Sequence, residues 1–204
     1  MKLYYSPGAC SLSPHIALLE AGLPYDLVKV DLRVKKLENG DDFLKVNPKG
    51  QVPALALDSG ELVTEGPVIV QMIADKAAGK NLAPARDSAE RYKMLEWLNY
   101  ITAELHKNFG PMFSPVLPDE TKAFFKDRVM GKFKYVDGAL AGHDYLMGKQ
   151  FTVADAYLFT MLCRADRMNF DLSGLPTLLA YKARVAARPK VQEALAKEGL
   201  LKAA

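Results

Sequence analysis

The chain has 204 residues, half of them hydrophobic and a quarter charged, with 27 basic against 24 acidic side chains and a net charge of +3. That length holds a sizeable core in one large or two small domains, and bases interleaved with acids leave no basic stripe for nucleic acid. No apolar run approaches the ~20 residues of a membrane helix, the first residues reach a turn before a signal-peptide core, and two cysteines make no disulfide framework, so a cytoplasmic protein without membrane attachment is expected.

The first eighty residues alternate strand and helix patterns. Lys2–Tyr5 is a short strand, and Leu12–Ala21 is a helix stopped by Gly22. Pro14 falls in that helix's first turn, where its missing N–H costs little. Residues 26–32 alternate as a second strand. The runs 55–58 and 61–64, joined at Ser59-Gly60, read as a hairpin, and Pro67 opens a helix over 68–75. The order βαβ, short helix, ββα requires a mixed four-stranded sheet with a parallel crossover first and an antiparallel hairpin after.

Gly79 followed by residues 80–87 with Pro84 has the look of a linker, separating a domain of 1–79 from an all-helical domain of 88–204. Helices are expected from Asp87 or Ser88 to about 109, over 119–140, and from Thr152, Pro176 and Pro189. Asp87 with Glu90, and Thr152 with Asp155, have capping-box spacing.

The chemistry gathers in the first domain. Ser6-Pro-Gly-Ala-Cys10-Ser11 carries a thiol from a strand through a Gly/Pro turn to a helix start. There the helix dipole lowers a thiol pKa and populates the thiolate near neutral pH. A lone cysteine is more often a core residue, and Cys163, in an apolar helical run, is read that way. Cys10-x-x-Ser13 has no resolving cysteine, so any disulfide at Cys10 is with an external thiol.

In Asn47-Pro-Lys-Gly-Gln51-Val52-Pro53, a cis Pro53 turns the Val52 peptide outward, leaving its N–H and C=O to pair with a short peptide as an added strand. A plain loop-to-strand turn fits Pro53 alone equally well. Thr64-Glu65-Gly66-Pro67 places amide donors at a helix start beside a carboxylate, a pairing suited to the zwitterionic end of an amino acid, although simple acidic capping uses the same residues. Lys35, by itself a surface charge, can meet a second carboxylate. Glutathione offers an amino-acid head, a central cysteinyl peptide and a terminal carboxylate, and it fits all of these together.

With the linker and the helical second half, these motifs resemble the glutathione transferase family, specifically its bacterial beta class, along the whole chain. The resemblance implies a thioredoxin-like first domain, a homodimer, and glutathione as co-substrate with no prosthetic group. It also implies that the second domain completes the site for small hydrophobic electrophiles. Residue by residue, it makes Cys10 the cysteine able to hold glutathione as a mixed disulfide and Pro53 the family's cis-proline. Lys35, Val52, Glu65 and Gly66 fall on glutathione contacts, as do Asn99, Ala103, Glu104, Leu105, His106 and Lys107.

Asn99, Ala103 and His106 share one face of a regular helix at i, i+4 and i+7. His106 there can act catalytically by bonding a sulfur whose thiolate Lys107 favours, or it can be a plain exposed histidine. Many members carry serine after the acidic residue, where this chain has Gly66, so one hydrogen bond of about 0.5–1.5 kcal/mol is lost. Phe109, Met112, Phe113 and Met168 are candidates to line the electrophile pocket or to pack as core. His15 and His143 have no recognisable partners, and no residues have metal-ligand spacing. A glutaredoxin-like reductase and a non-catalytic carrier on the same fold are the competing functions.

Overall fold

The sheet is built around β1 (Lys2–Tyr5), whose Leu3 and Tyr5 turn into the core while Lys2 is exposed. In the computed structural model, which describes residues 1–201, β1 pairs in parallel with β2 (Asp26–Asp31) and antiparallel with β4 (Ala54–Ala56), in the registers Leu3↔Leu27 and Leu3↔Leu55. β4 continues antiparallel to β5 (Leu62–Thr64) through the turn at Gly60. Alongside the four expected strands, a two-residue β3 (Lys36–Leu37) pairs with β2, giving the order β3-β2-β1-β4-β5 among the described residues. Two residues are too short to show any alternation, so β3 leaves no sequence pattern.

The parallel connection runs through α1 (Leu12–Ala21), which is buried nearly throughout and packs against α2 (Gly66–Lys76). Gly22, at φ 66°, ends α1 by donating its N–H to the Leu18 and Leu19 carbonyls, the left-handed stop that glycine takes most readily. A second small core of Val30, Phe43, Val52 and Ala54, with Tyr4 and Leu37 against it, fastens the segment that carries Val52.

The helical elements are α3 (Ala89–Tyr100), a π-helical turn over Ile101–His106, α4 (Lys107–Phe109), α5 (Asp119–Ala139), α6 (Val153–Arg167), α7 (Pro176–Ala186) and α8 (Pro189–Lys197). Every residue of α6 from Val153 to Leu162 is buried, so the other helices of its unit wrap it. α6 starts with the expected Thr152–Asp155 capping box. The cap of α3 is Ser88 rather than Asp87. Ser88 has the extended backbone a cap requires, and its Oγ accepts the Arg91 N–H at 3.1 Å.

Two compact units divide the chain. One is Pro84–Ala186; the other joins Met1–Ala83 to the chain from Ala187 onward. The sequence reading placed all of 88–204 in the helical domain, whereas α8 packs on α1. The reason is its apolar face of Val191, Ala194 and Leu195, together with a buried Glu198 just beyond its end.

Candidate functional site

In the sheet-bearing unit the site forms around the loop 47–53. The Asn47 side chain shapes that loop, its amide donating to the Gln51 carbonyl at 2.8 Å and its oxygen accepting the Lys49 N–H at 3.2 Å. Gly50 takes φ 60°, and a Cβ there would come within 3.0 Å of Leu44, so the close turn needs glycine. The Val52–Pro53 peptide is cis, as expected.

Each sequence-predicted residue of this unit touches that loop. The Cys10 thiol lies 3.1 Å from the Val52 carbonyl, to which it donates. Lys35 Nζ donates to the Gly50 carbonyl at 2.8 Å. Gly66 sits against Pro53, whose Cγ would be 3.8 Å from an added Cβ. Lys49 reaches from the loop to Glu65, Nζ to Oε1 at 2.7 Å, and to Thr64 Oγ1 at 3.0 Å. Lys49 was not singled out in the sequence. Its place inside the 47–53 motif was the available signal.

Two details differ from expectation. Of the Val52 peptide, only the N–H has no partner among the described residues, because the carbonyl accepts a hydrogen bond from the Cys10 thiol. A thiolate facing a carbonyl oxygen gains nothing, so this contact belongs to the protonated thiol. Glu65 itself adopts φ 68°, ψ 113°, a left-handed conformation that a non-glycine residue holds only when its surroundings impose it.

The turn bearing Cys10 is anchored from beneath. Ser11 Oγ accepts the Ser6 N–H at 3.2 Å and donates to the Ser6 carbonyl at 3.3 Å. Glu198 Oε2 accepts the Gly8 N–H at 2.9 Å, while its Oε1 lies 2.8 Å from His15 Nδ1, and His15 Nε2 lies 2.9 Å from the Tyr25 hydroxyl. The His15 and Glu198 side chains are both 0% exposed. His15, without a partner in the sequence reading, thus links α1, the Cys10 turn and the end of α8. Glu198 lies 183 positions away, and no local pattern announces it. His143 is exposed.

In the helical unit, the π-helical turn changes the predicted face. Bonds of the i→i+5 type advance each residue less than an α-helix does, so the i, i+4, i+7 alignment of Asn99, Ala103 and His106 is not kept. Asn99, Ala103 and Lys107 are exposed, while His106 is turned inward, its Nδ1 2.7 Å from the Tyr157 hydroxyl. Burial, then the positive charges of Arg164 and Lys107, lower the His106 pKa to about 4. His106 is therefore a neutral imidazole at physiological pH, neither an exposed histidine nor a cation. Glu104 pairs with Lys132 at 2.7 Å, whose ammonium holds the carboxyl below its ordinary range. The Leu105 side chain is 0% exposed and belongs to the core, as does that of Phe109. Met112 and Met168 are half-buried, and Phe113 is 59% exposed. Cys163, expected to be buried, is only partly so, and neither cysteine is in a disulfide. Among the described residues no three His, Cys, Asp or Glu side chains converge to hold a metal ion.

Residues 8–76 match the family model for the glutathione S-transferase N-terminal domain, and residues 103–198 match that for the glutathione S-transferase C-terminal domain. The chain is 51% identical to glutathione S-transferase GstA of Escherichia coli O157:H7 over 98% of this chain and 100% of that protein. A sphingomonad glutathione S-transferase solved in complex with glutathione superposes with a TM-score of 0.94 at 49% identity, covering 98% of this chain and 100% of that one. The bacterial beta class glutathione S-transferase of Sphingomonas chungbukensis gives 0.95 at 48% identity, with the same coverage.

Proposed function

Because the chain belongs to the glutathione S-transferase family, we propose that its sheet-bearing unit binds glutathione along the 47–66 segment and that the enzyme transfers the bound sulfur to electrophilic carbon. The observation that carries this reading is the Val52 peptide, with its N–H unpartnered among the described residues and the Cys10 thiol 3.1 Å from its carbonyl. A cysteinyl peptide laid beside Val52 takes that N–H and brings its sulfur next to Cys10. Glu65 receives the amino-acid ammonium on the carboxylate oxygen that Lys49 does not hold. In the first turn of α2, Pro67 has no N–H and Val68 and Ile69 donate to the Glu65 carbonyl, so the Gly66 N–H receives the neighbouring carboxylate. Lys35 meets the terminal carboxylate.

In conjugation the glutathione S–H gives its proton to solvent, the sulfur pair forms a bond to carbon, and the leaving group departs with its own bonding pair. In exchange with oxidised glutathione, the Cys10 sulfur attacks one sulfur of the disulfide and expels the other half as a thiolate. Ser13 is buried, with no hydrogen bond to its hydroxyl among the described residues, and it supplies no second thiol.

The helical domain is assigned the electrophile, a small hydrophobic one. His106 serves there as a neutral hydrogen-bonding group, and Asn99, Ala103, Glu104, Leu105 and Lys107 are assigned to glutathione on the family pattern alone. The homodimer rests on that pattern too. The cytoplasmic location is part of the same proposal, on a chain whose only cysteines are Cys10 and Cys163. Among the described residues no helix is long and apolar enough to cross a membrane.

Isothermal calorimetry with glutathione tests the binding reading, which saturable heat supports and a flat titration defeats. The same titration on Glu65→Gln is expected to give a dissociation constant raised about 10–100-fold, the worth of one charge-assisted hydrogen bond. An unchanged constant would remove Glu65 from the site.

Gly66→Ser is expected to act in the opposite direction. The added Cβ meets only Pro53 Cγ, at the ordinary contact distance of 3.8 Å, and the backbone is not left-handed. The new hydroxyl can reach the ligand carboxylate and lower the KM for glutathione about 2–10-fold. A raised KM in the serine variant would mean that the hydroxyl finds no acceptor.

A further inference from the structure

Arg164, on α6, is held differently from the other inward-lying arginines. Arg188 forms a two-pronged pair with Glu20 at 2.7 and 2.9 Å, and Arg91 donates to the Pro84 carbonyl at 3.2 Å. Arg164 is half-buried, yet among the described residues it has neither an ion pair nor a hydrogen bond. Its guanidinium instead stacks on two phenyl rings, 5.5 Å from the centroid of Phe113 and 6.0 Å from that of Phe109. Cation–π contact of this kind offsets part of the burial but leaves the in-plane N–H donors unanswered. Removing a cation from water without a counter-charge is costly, and such groups are normally paired. The neighbouring charges add to the imbalance. Lys107 is also positive, and both cations act on His106, which is neutral and turned to Tyr157. Phe113 presents 59% of its surface, an apolar platform next to a flat cation.

We propose that Arg164 reads a carboxylate on the electrophile, so that the preferred second substrate joins an apolar electrophilic ring to an anionic group. The planar guanidinium matches a carboxylate in a two-pronged pair, and Phe113 supplies the face on which the ring stacks. This narrows the substrate class of the transferase reading and rests on it. Glutathione carries carboxylates of its own, so the same chemistry has two sources that the experiment must separate.

The test compares a chlorodinitrobenzene bearing a para carboxylate with its neutral carboxamide. In both, glutathione sulfur bonds to the ring carbon and chloride leaves with its bonding pair. With each rate divided by its uncatalysed rate, wild type is expected to favour the carboxylate in kcat/KM by about tenfold or more. Arg164→Met is expected to bring that ratio to about one, and Arg164→Lys to restore part of it. Calorimetry with unreactive dinitrobenzoate and dinitrobenzamide gives a readout independent of turnover, and thermal midpoints check that both variants fold.

Equal use of the two substrates by wild type, or a ratio that persists in Arg164→Met, overturns the proposal while leaving conjugation intact. A raised KM for glutathione in Arg164→Met with the preference retained assigns the carboxylate to glutathione and overturns it as well. Arg164-dependent binding of dinitrobenzoate without any conjugation would support the anion site while ending the transferase reading.

Discussion

Replacing Asp155 with alanine is expected to lower the stability of the helical unit by about 3–5 kcal/mol at pH 7, enough to remove much of a typical domain's margin. One fully buried carboxylate answers four donors at the start of α6. Its Oδ1 takes the Leu146 N–H at 2.9 Å and the Tyr181 hydroxyl at 3.0 Å, and its Oδ2 takes the Thr152 N–H at 2.8 Å and the Thr152 hydroxyl at 3.0 Å. Truncation strands these donors away from water, which costs more than the hydrogen bonds were worth. Asp155→Asn keeps the shape but turns an amide N–H2 toward one pair of donors, so it too is expected to destabilise.

The same carboxyl sets a pH signature. Burial, acting against those hydrogen bonds, raises its pKa from 3.8 to about 6. The folded state therefore binds this proton more tightly than the unfolded chain. The resulting stability is fully present below pH 3.8 and is lost as pH rises to about 6. Urea unfolding followed through Trp97, the single tryptophan and part of α3, measures both effects. Wild type should show this falling component, and the alanine variant should lack it. A difference below about 1 kcal/mol at pH 7 would mean that water or relaxation satisfies the stranded groups.

What the sequence makes legible follows how local each cause is. The ends of α1 and the starts of α7 and α8 are readable because Gly22, Pro176 and Pro189 act through their own backbones. The thiol at a strand–turn–helix junction, the cis Val52–Pro53 bond and the acidic residue before α2 are likewise local. The fold then brings the first two within 3.1 Å and ties Glu65 to the same loop through Lys49. Causes that depend on tertiary partners stay hidden. The π-helical turn at 101–106 carries no pattern of its own, and it moves His106 from a predicted ligand face to Tyr157. The Glu198–His15 pair joins opposite ends of the chain, so a residue that no local pattern marks becomes the anchor of the Cys10 turn. Arg164 is marked by no motif in the sequence, and only the fold sets it against two phenyl rings.

Cys10→Ala separates the two chemistries that this site supports. Incubated with oxidised glutathione, wild type is expected to gain the mass of one glutathione at Cys10 and release it to excess thiol. The alanine variant should gain none, a complete loss. Conjugation of a chlorinated aromatic should fall by only about 2–10-fold, the equivalent of one hydrogen bond to the glutathione sulfur. The geometry explains this asymmetry. The Cys10 thiol donates to the Val52 carbonyl, and the groups proposed to hold the tripeptide, at Lys35, Val52, Glu65 and Gly66, do not pass through the thiol. Exchange needs the Cys10 sulfur as the bond-forming atom, whereas conjugation uses the sulfur that glutathione brings. Cys163→Ala provides the control and should keep the adduct, because Cys163 lies on α6 in the other unit. An adduct surviving in Cys10→Ala would move the exchange chemistry to Cys163. A loss of conjugation beyond about a thousandfold would make Cys10 part of the activation of glutathione itself, since positioned proton-transfer groups contribute on that scale.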